Sequence, residues 1–118
     1  MQSPKPYLDT RPWGEELWLT RDSGAPTMVK VITVKPGESL SLQYHRRREE
    51  FWLVLSGDGS AEIAEQALKL KSGDTCFIPR EVKHRISGGS SVLKFLELSF
   101  GDFDENDIIR LEDKYGRK

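Results

Sequence analysis

The stretch SLSLQYHRRREEFWLVLSGDG, residues 39–59, holds most of what decides the fold. In SLSLQYH (39–45) polar and apolar residues alternate, the period-two pattern of a half-buried strand. RRRE (46–49) is too polar for a core strand and reads as a hairpin turn. EFWLVLS (50–56) returns as a second strand and Gly57-Asp58-Gly59 turns the chain again. Working outward, the same texture continues in MVKVITV (28–34), GSAEIAE (59–65), ALKLK (67–71), DTCFIP (74–79), VKHRI (82–86) and SVLKFLELSF (91–100). Pro36-Gly37, Ser72-Gly73-Asp74 and Gly88-Gly89 supply the remaining turns. Roughly eight short strands with no crossover helices predict an all-β sandwich, barrel or jelly roll. Residues 1–27, rich in Pro, Gly and polar groups, read as an irregular N-terminal arm whose Trp13 and Trp18 pack on a single domain over 28–118. In the short C-terminal segment Asp104 could cap a helical turn bearing Ile108, Ile109 and Leu111, or the segment adds one more strand.

Composition narrows the class. Lysine plus arginine number 18 against 19 acidic residues, which gives a net charge of −1 and argues against a general nucleic-acid partner. The longest apolar run, Phe51 to Leu55, is far too short for a membrane span, and the N-terminus has no apolar signal region. Cys76 is the one cysteine, which excludes an internal disulfide and fits a reducing cytoplasm. Flanked by Thr75 and Phe77, it reads as a small strand side chain rather than a nucleophile.

The chemistry gathers around the two histidines. Gln43 and His45 are two apart on a strand and share a face, while Glu50 opens the returning strand and meets His45 across the expected hairpin. Trp52 and Val54 continue Glu50's parity. His84 is placed to close the group from a neighbouring strand. Two imidazoles, a carboxylate and an amide oxygen form a mixed nitrogen–oxygen set suited to one divalent ion: zinc, or Mn, Co, Ni or Fe.

The spacing Gly37-(x5)-Gln43-x-His45-(x4)-Glu50-(x6)-Gly57, followed by Gly73-(x5)-Pro79-(x4)-His84, resembles the two motifs of the cupin superfamily. The resemblance implies a double-stranded β-helix holding one metal. Gln43 stands where many cupins have His, Glu81 where the second motif has Gly, and Gly88 where it often has Asn. Arg11-Pro12-Trp13-Gly14, the run Lys35 to His45, Arg48-Glu49-Glu50-Phe51-Trp52, Ile78-Pro79, His84-Arg85 and the tail Asp107 to Arg117 are similar to the type II mannose-6-phosphate isomerases. That family often forms the C-terminal domain of bifunctional isomerase/guanylyltransferases, and the nucleotidyltransferase half has no counterpart in this sequence. Arg46 and Arg47 replace histidines common in the family and make the rim more cationic.

The resemblance implies interconversion of mannose 6-phosphate and fructose 6-phosphate through an enediolate, by a cytoplasmic homodimer acting on a small sugar phosphate. Neutral Gln43 would leave the metal more electrophilic than a further carboxylate would. Lys30 and Glu97 are the candidates for the group that moves the C2 proton. Arg48, Arg85 and Arg110 are candidates for the phosphate clamp, because arginine binds phosphate bidentately. Strand alternation turns Arg85 away from His84, and Arg48 has an alternative partner in Glu49 or Glu50. Other functions on one fold stay open: a non-catalytic metal- and sugar-binding module, an oxygenase or an epimerase.

Overall fold

The computed structural model describes residues 6–21, 27–101, 104 and 106–116. Among these residues the chain forms β1 (Tyr7–Arg11), β2 (Gly14–Trp18), β3 (Met28–Val34), β4 (Leu42–Tyr44), β5 (Arg48–Ser56), β6 (Asp58–Ile63), β7 (Gln66–Lys71), β8 (Thr75–Ile78), β9 (His84–Gly88), β10 (Leu93–Gly101) and β11 (Ile109–Glu112). They build a six-stranded sheet, β1-β2-β3-β10-β5-β8, and a five-stranded sheet, β11-β4-β9-β6-β7, antiparallel throughout. This is the all-β jelly roll expected from the pattern.

Alternation explains which face each strand buries. On β5, Arg48, Glu50, Trp52 and Val54 point inward; on β10, Leu93, Phe95, Glu97 and Ser99 do. Ile32, Val34, Trp52, Val54, Leu93 and Phe95 from one sheet meet Ala61, Leu70 and Ile86 from the other. At about 25 cal/mol per Å² of apolar surface removed from water, this shared layer dominates the stability. The inward polar residues Lys30, Glu50 and Glu97 sit at one end of it, beyond Ile32, Val54 and Phe95.

Three local expectations are corrected. The arm is not irregular over residues 7–18: it forms β1 and β2, which extend the larger sheet through β3. Its alternation is hidden because β2 buries Gly14 and Glu16 along with Trp18 rather than three apolar residues. The strand expected over 39–45 shortens to Leu42–Tyr44, with Ser39 retaining a single bridge to Ser87. Nor is 46–49 a hairpin turn, since β4 and β5 lie in different sheets and the chain crosses between them at Arg46-Arg47. Beyond it, Glu81 N–H donates to His45 O at 2.7 Å with Glu81 at φ 63°, so glycine's usual place in such a turn follows from the backbone. Of the two readings of the tail, the strand is correct: Ile109 and Arg110 pair with Tyr44 and Gln43.

Candidate metal centre

At one end of the space between the sheets, His45, Glu50 and His84 bring one ligating atom each to within 4.8 Å of one another, and all three are buried. The two imidazole rings lie 5.1 Å apart, centroid to centroid. Each ring is aimed by its outer nitrogen. His45 Nδ1 lies 2.6 Å from Asp107 O and His84 Nδ1 lies 3.0 Å from Val82 O, so each ring donates from Nδ1 and turns its Nε2 to the centre. His45 Nε2 is 3.2 Å from Glu50 Oε2, and His84 Nε2 is 3.8 Å from Glu50 Oε1. This is the donor chemistry a divalent ion needs, and the residues fit one.

Glu50 is held by more than histidine. Trp52 Nε1 donates to its Oε1 at 3.1 Å, while Arg48 Nε and Nη2 reach its Oε2 at 3.1 and 2.9 Å. Burial by itself would raise the Glu50 pKa, but the polar surroundings, the positive Arg48 guanidinium among them, favour the anion and hold it well below the usual carboxylate range. Burial also lowers the His84 pKa and leaves that imidazole neutral at pH 7. Arg48 Nη2 stands 3.2 Å from His45 Nε2 as well. An ion bound to this nitrogen would need the guanidinium to give up that contact.

Gln43 faces His84 in register, and Arg110 faces Gln43, so the three form a row across β11, β4 and β9. The Gln43 amide nitrogen donates to Ser41 Oγ at 3.0 Å, which fixes the amide and leaves its oxygen as the atom that could face an ion. The cavity beside the cluster, about 80 Å³, is lined by Gln43, Glu50, His84, Arg48, Arg110, Lys30 and Glu97 among others. Both expected proton-transfer candidates are therefore present, and both are buried. They are register partners on β3 and β10. Lys30 Nζ makes a 2.9 Å ion pair with Glu16 Oε1 and lies 4.1 Å from the centre of the Trp18 ring. Glu97 is pushed up to about 8, first by burial and then by the Glu50 charge, with Lys30 and Arg48 opposing.

The arginines divide. Arg48 is committed to Glu50, the structural alternative foreseen for it. Arg85 touches the cavity, but its guanidinium is 2.8 Å from Glu112 and 3.4 Å from Glu62. Arg110 lines the cavity next to Gln43. Reading the residues did not find Glu16, whose signal was its even parity with Gly14 and Trp18. Nor did it assign a role to Asp107, which is 62 positions from His45 and gives no local signal. The Asp107 carboxylate also accepts from the Arg46 and Arg47 amides at 3.0 and 2.9 Å and so fixes the crossing loop.

Comparison with known proteins places these features. The family model described as "Mannose-6-phosphate isomerase C-terminal" matches residues 7–113. The chain is 42% identical over 109 residues to the xanthan biosynthesis protein XanB of Xanthomonas campestris, covering 91% of this chain and 23% of XanB. It is 40% identical over 108 residues to the mannose-1-phosphate guanylyltransferase RfbM of Salmonella typhimurium, covering 90% of this chain and 22% of RfbM. The chain thus spans under a quarter of the length of these relatives. Among solved structures, a Bacillus subtilis oxalate decarboxylase matches 91% of this chain and 30% of its own with a TM-score of 0.80 at 19% identity. A cupin-2 domain from Rhodospirillum rubrum matches 91% of this chain and 81% of its own with a TM-score of 0.74 at 19% identity.

Proposed function

Because the chain belongs to the mannose-6-phosphate isomerase C-terminal family and has the cupin fold, we propose that it is a metal-dependent aldose–ketose isomerase converting mannose 6-phosphate to fructose 6-phosphate. The observation that carries the reading is the convergence of two oriented Nε2 atoms and the Glu50 carboxylate on one cavity that also holds Glu97. Gln43, His45, Glu50 and His84 would hold one divalent ion, zinc first among the choices. That ion would polarise the substrate's C1 and C2 oxygens and offset the charge of an enediolate.

The protein's own groups then account for the proton. Isomerisation moves one proton from C2 to C1 and another from O2 to O1. A carboxyl group of pKa about 8 exchanges protons near neutrality, and Glu97 is such a group inside the cavity. Glu97 is therefore the better candidate to take the C2 proton and return it to C1, while Lys30 is engaged by Glu16 and Trp18. Arg110 is the rim cation best placed to meet the phosphate. The single cysteine supports a cytoplasmic site of action.

The test is a coupled assay of mannose 6-phosphate conversion by metal-analysed protein supplied with Zn²⁺, Mn²⁺, Co²⁺, Ni²⁺ or Fe²⁺. Metal-dependent turnover that disappears in His45→Ala and His84→Ala is the expected result. Bound metal without turnover on any hexose phosphate would replace the isomerase with a metal- and sugar-binding module. Protein that takes up no metal would remove the centre.

A further inference from the structure

Buried polar atoms of a folded protein normally have hydrogen-bond partners, and an exception calls for a physical reason. Ser99 sits on the inward face of β10 and is 1% exposed. Among the described residues its hydroxyl has no hydrogen-bond partner. The register row through it runs Met28, Ser99, Glu50, Ile78 across β3, β10, β5 and β8. In that row Glu50 supplies the strong acceptor, while the Met28 sulfur is a weak one. Directly paired residues on antiparallel strands have Cβ atoms about 4.5–5.5 Å apart, so the spare hydroxyl stands beside the carboxylate. Glu50 lines the cavity and Ser99 does not. The hydroxyl therefore lies behind the carboxylate, away from any substrate.

The donors that Glu50 now uses respond differently to a bound cation. Arg48 Nη2 lies 2.9 Å from Glu50 Oε2 and 3.2 Å from His45 Nε2. Its guanidinium is repelled by a divalent ion bound to that imidazole and that carboxylate, and competes with the ion for the same lone pairs. Trp52 Nε1, 3.1 Å from Oε1, is neutral and stays. Carboxylates that ligate metals are themselves hydrogen-bonded, and those outer partners orient them. Ser99 is a second neutral donor, held in reserve on the neighbouring strand. On the reading of His45, Glu50 and His84 as metal ligands, we propose that Ser99 is a positioning residue for the centre. Its hydroxyl donates to Glu50 when an ion is bound. It acts through Glu50 and touches neither the ion nor the substrate.

Such a role separates metal affinity from stability. Without metal the hydroxyl is desolvated and gains no hydrogen bond in return, so its removal should be neutral or stabilising. With metal, its loss frees the carboxylate to turn.

Titration of the zinc-loaded full chain with a chromogenic chelator reads the affinity. Calorimetry in excess chelator reads the Tm of the metal-free protein. Ser99→Ala is expected to weaken zinc binding about tenfold or more, while the metal-free Tm stays level or rises. Zinc held as tightly by Ser99→Ala as by the unchanged protein would overturn the proposal and leave the metal centre standing. A metal-free Tm lowered together with the affinity would assign the hydroxyl to the fold instead of to Glu50, and would overturn it as well. An unchanged protein that holds no zinc against the chelator would remove the centre itself, and the role of Ser99 with it.

Discussion

Glu97 shows how one residue ties chemistry to stability. Its carboxyl titrates near 8 in the folded protein, against 4.5 for an ordinary glutamate. Between those values the unfolded chain has lost the proton and the folded chain keeps it. Stability from this group is therefore complete below about pH 4.5 and declines as pH rises, by up to about 1.4 kcal/mol per unit, until the decline ends above about 8. Glu97→Gln should flatten that limb in denaturant titrations run from pH 5 to 9. The same substitution should lower isomerase kcat about 10²- to 10⁴-fold and abolish the rise of kcat/KM toward pH 8. If the stability limb flattens while turnover is unaffected, the proton passes through another group. The candidate cluster was legible because His45 and Glu50 are close along the chain and their parity is decided locally. The sequence left Lys30 and Glu97 undecided, since the burial that alters Glu97 comes from strands far away in sequence. Arg48 shows the converse: its charge was obvious, but its commitment to Glu50 was a matter of which way one strand faced.

At the scale of elements, the turns were legible where glycine marks a backbone requirement. Gly57 joins β5 to β6 at φ 83°, and a Cβ there would lie 1.8 Å from Val92 O. Gly57→Ala should therefore cost on the order of 2 kcal/mol or more and lower Tm by several degrees, read by calorimetry. A loss below half a degree would mean that the turn relaxes freely. The regular strands β3, β5 and β10 were visible because their apolar residues alternate cleanly. β2 was not visible, because its inward residues include Glu16, which becomes a buried partner of Lys30 only once β3 lies beside it. The corner at Arg46-Arg47 was misread as a hairpin for a related reason. Polarity marks an interruption between strands, but it does not say whether they pair.

For the whole molecule, the candidate ligands come from both sheets: Glu50 from the six-stranded one, and Gln43 and His84 from the five-stranded one. An ion held between them ties the sheets together at the end away from the main apolar layer. Binding to the folded state alone stabilises by about 2.7 kcal/mol at one hundred times the dissociation constant. Saturating zinc should accordingly raise Tm by several degrees, and His84→Ala should remove the increase. An unchanged Tm with zinc demonstrably bound would show that the unfolded chain binds zinc as tightly as the folded one, so that the folded cluster adds nothing. The overall architecture could be read from strand count and turn spacing, whereas the pairing order could not, because sheet neighbours such as β3 and β10 are separated by about half of the chain.

The hydrogen bond from His45 to Asp107 spans 62 positions, and it has a consequence for the order of events in the cell. A nascent chain emerges from its N-terminus at about 5–20 residues per second. The imidazole is thus made roughly 3 to 12 seconds before the carbonyl that orients it. During that interval Gln43, His45 and Glu50 exist without the loop clamp, and His84 joins them midway. The aim of the first histidine waits on the synthesis of residue 107, and a chain halted before it would carry every candidate ligand and still lack that aim.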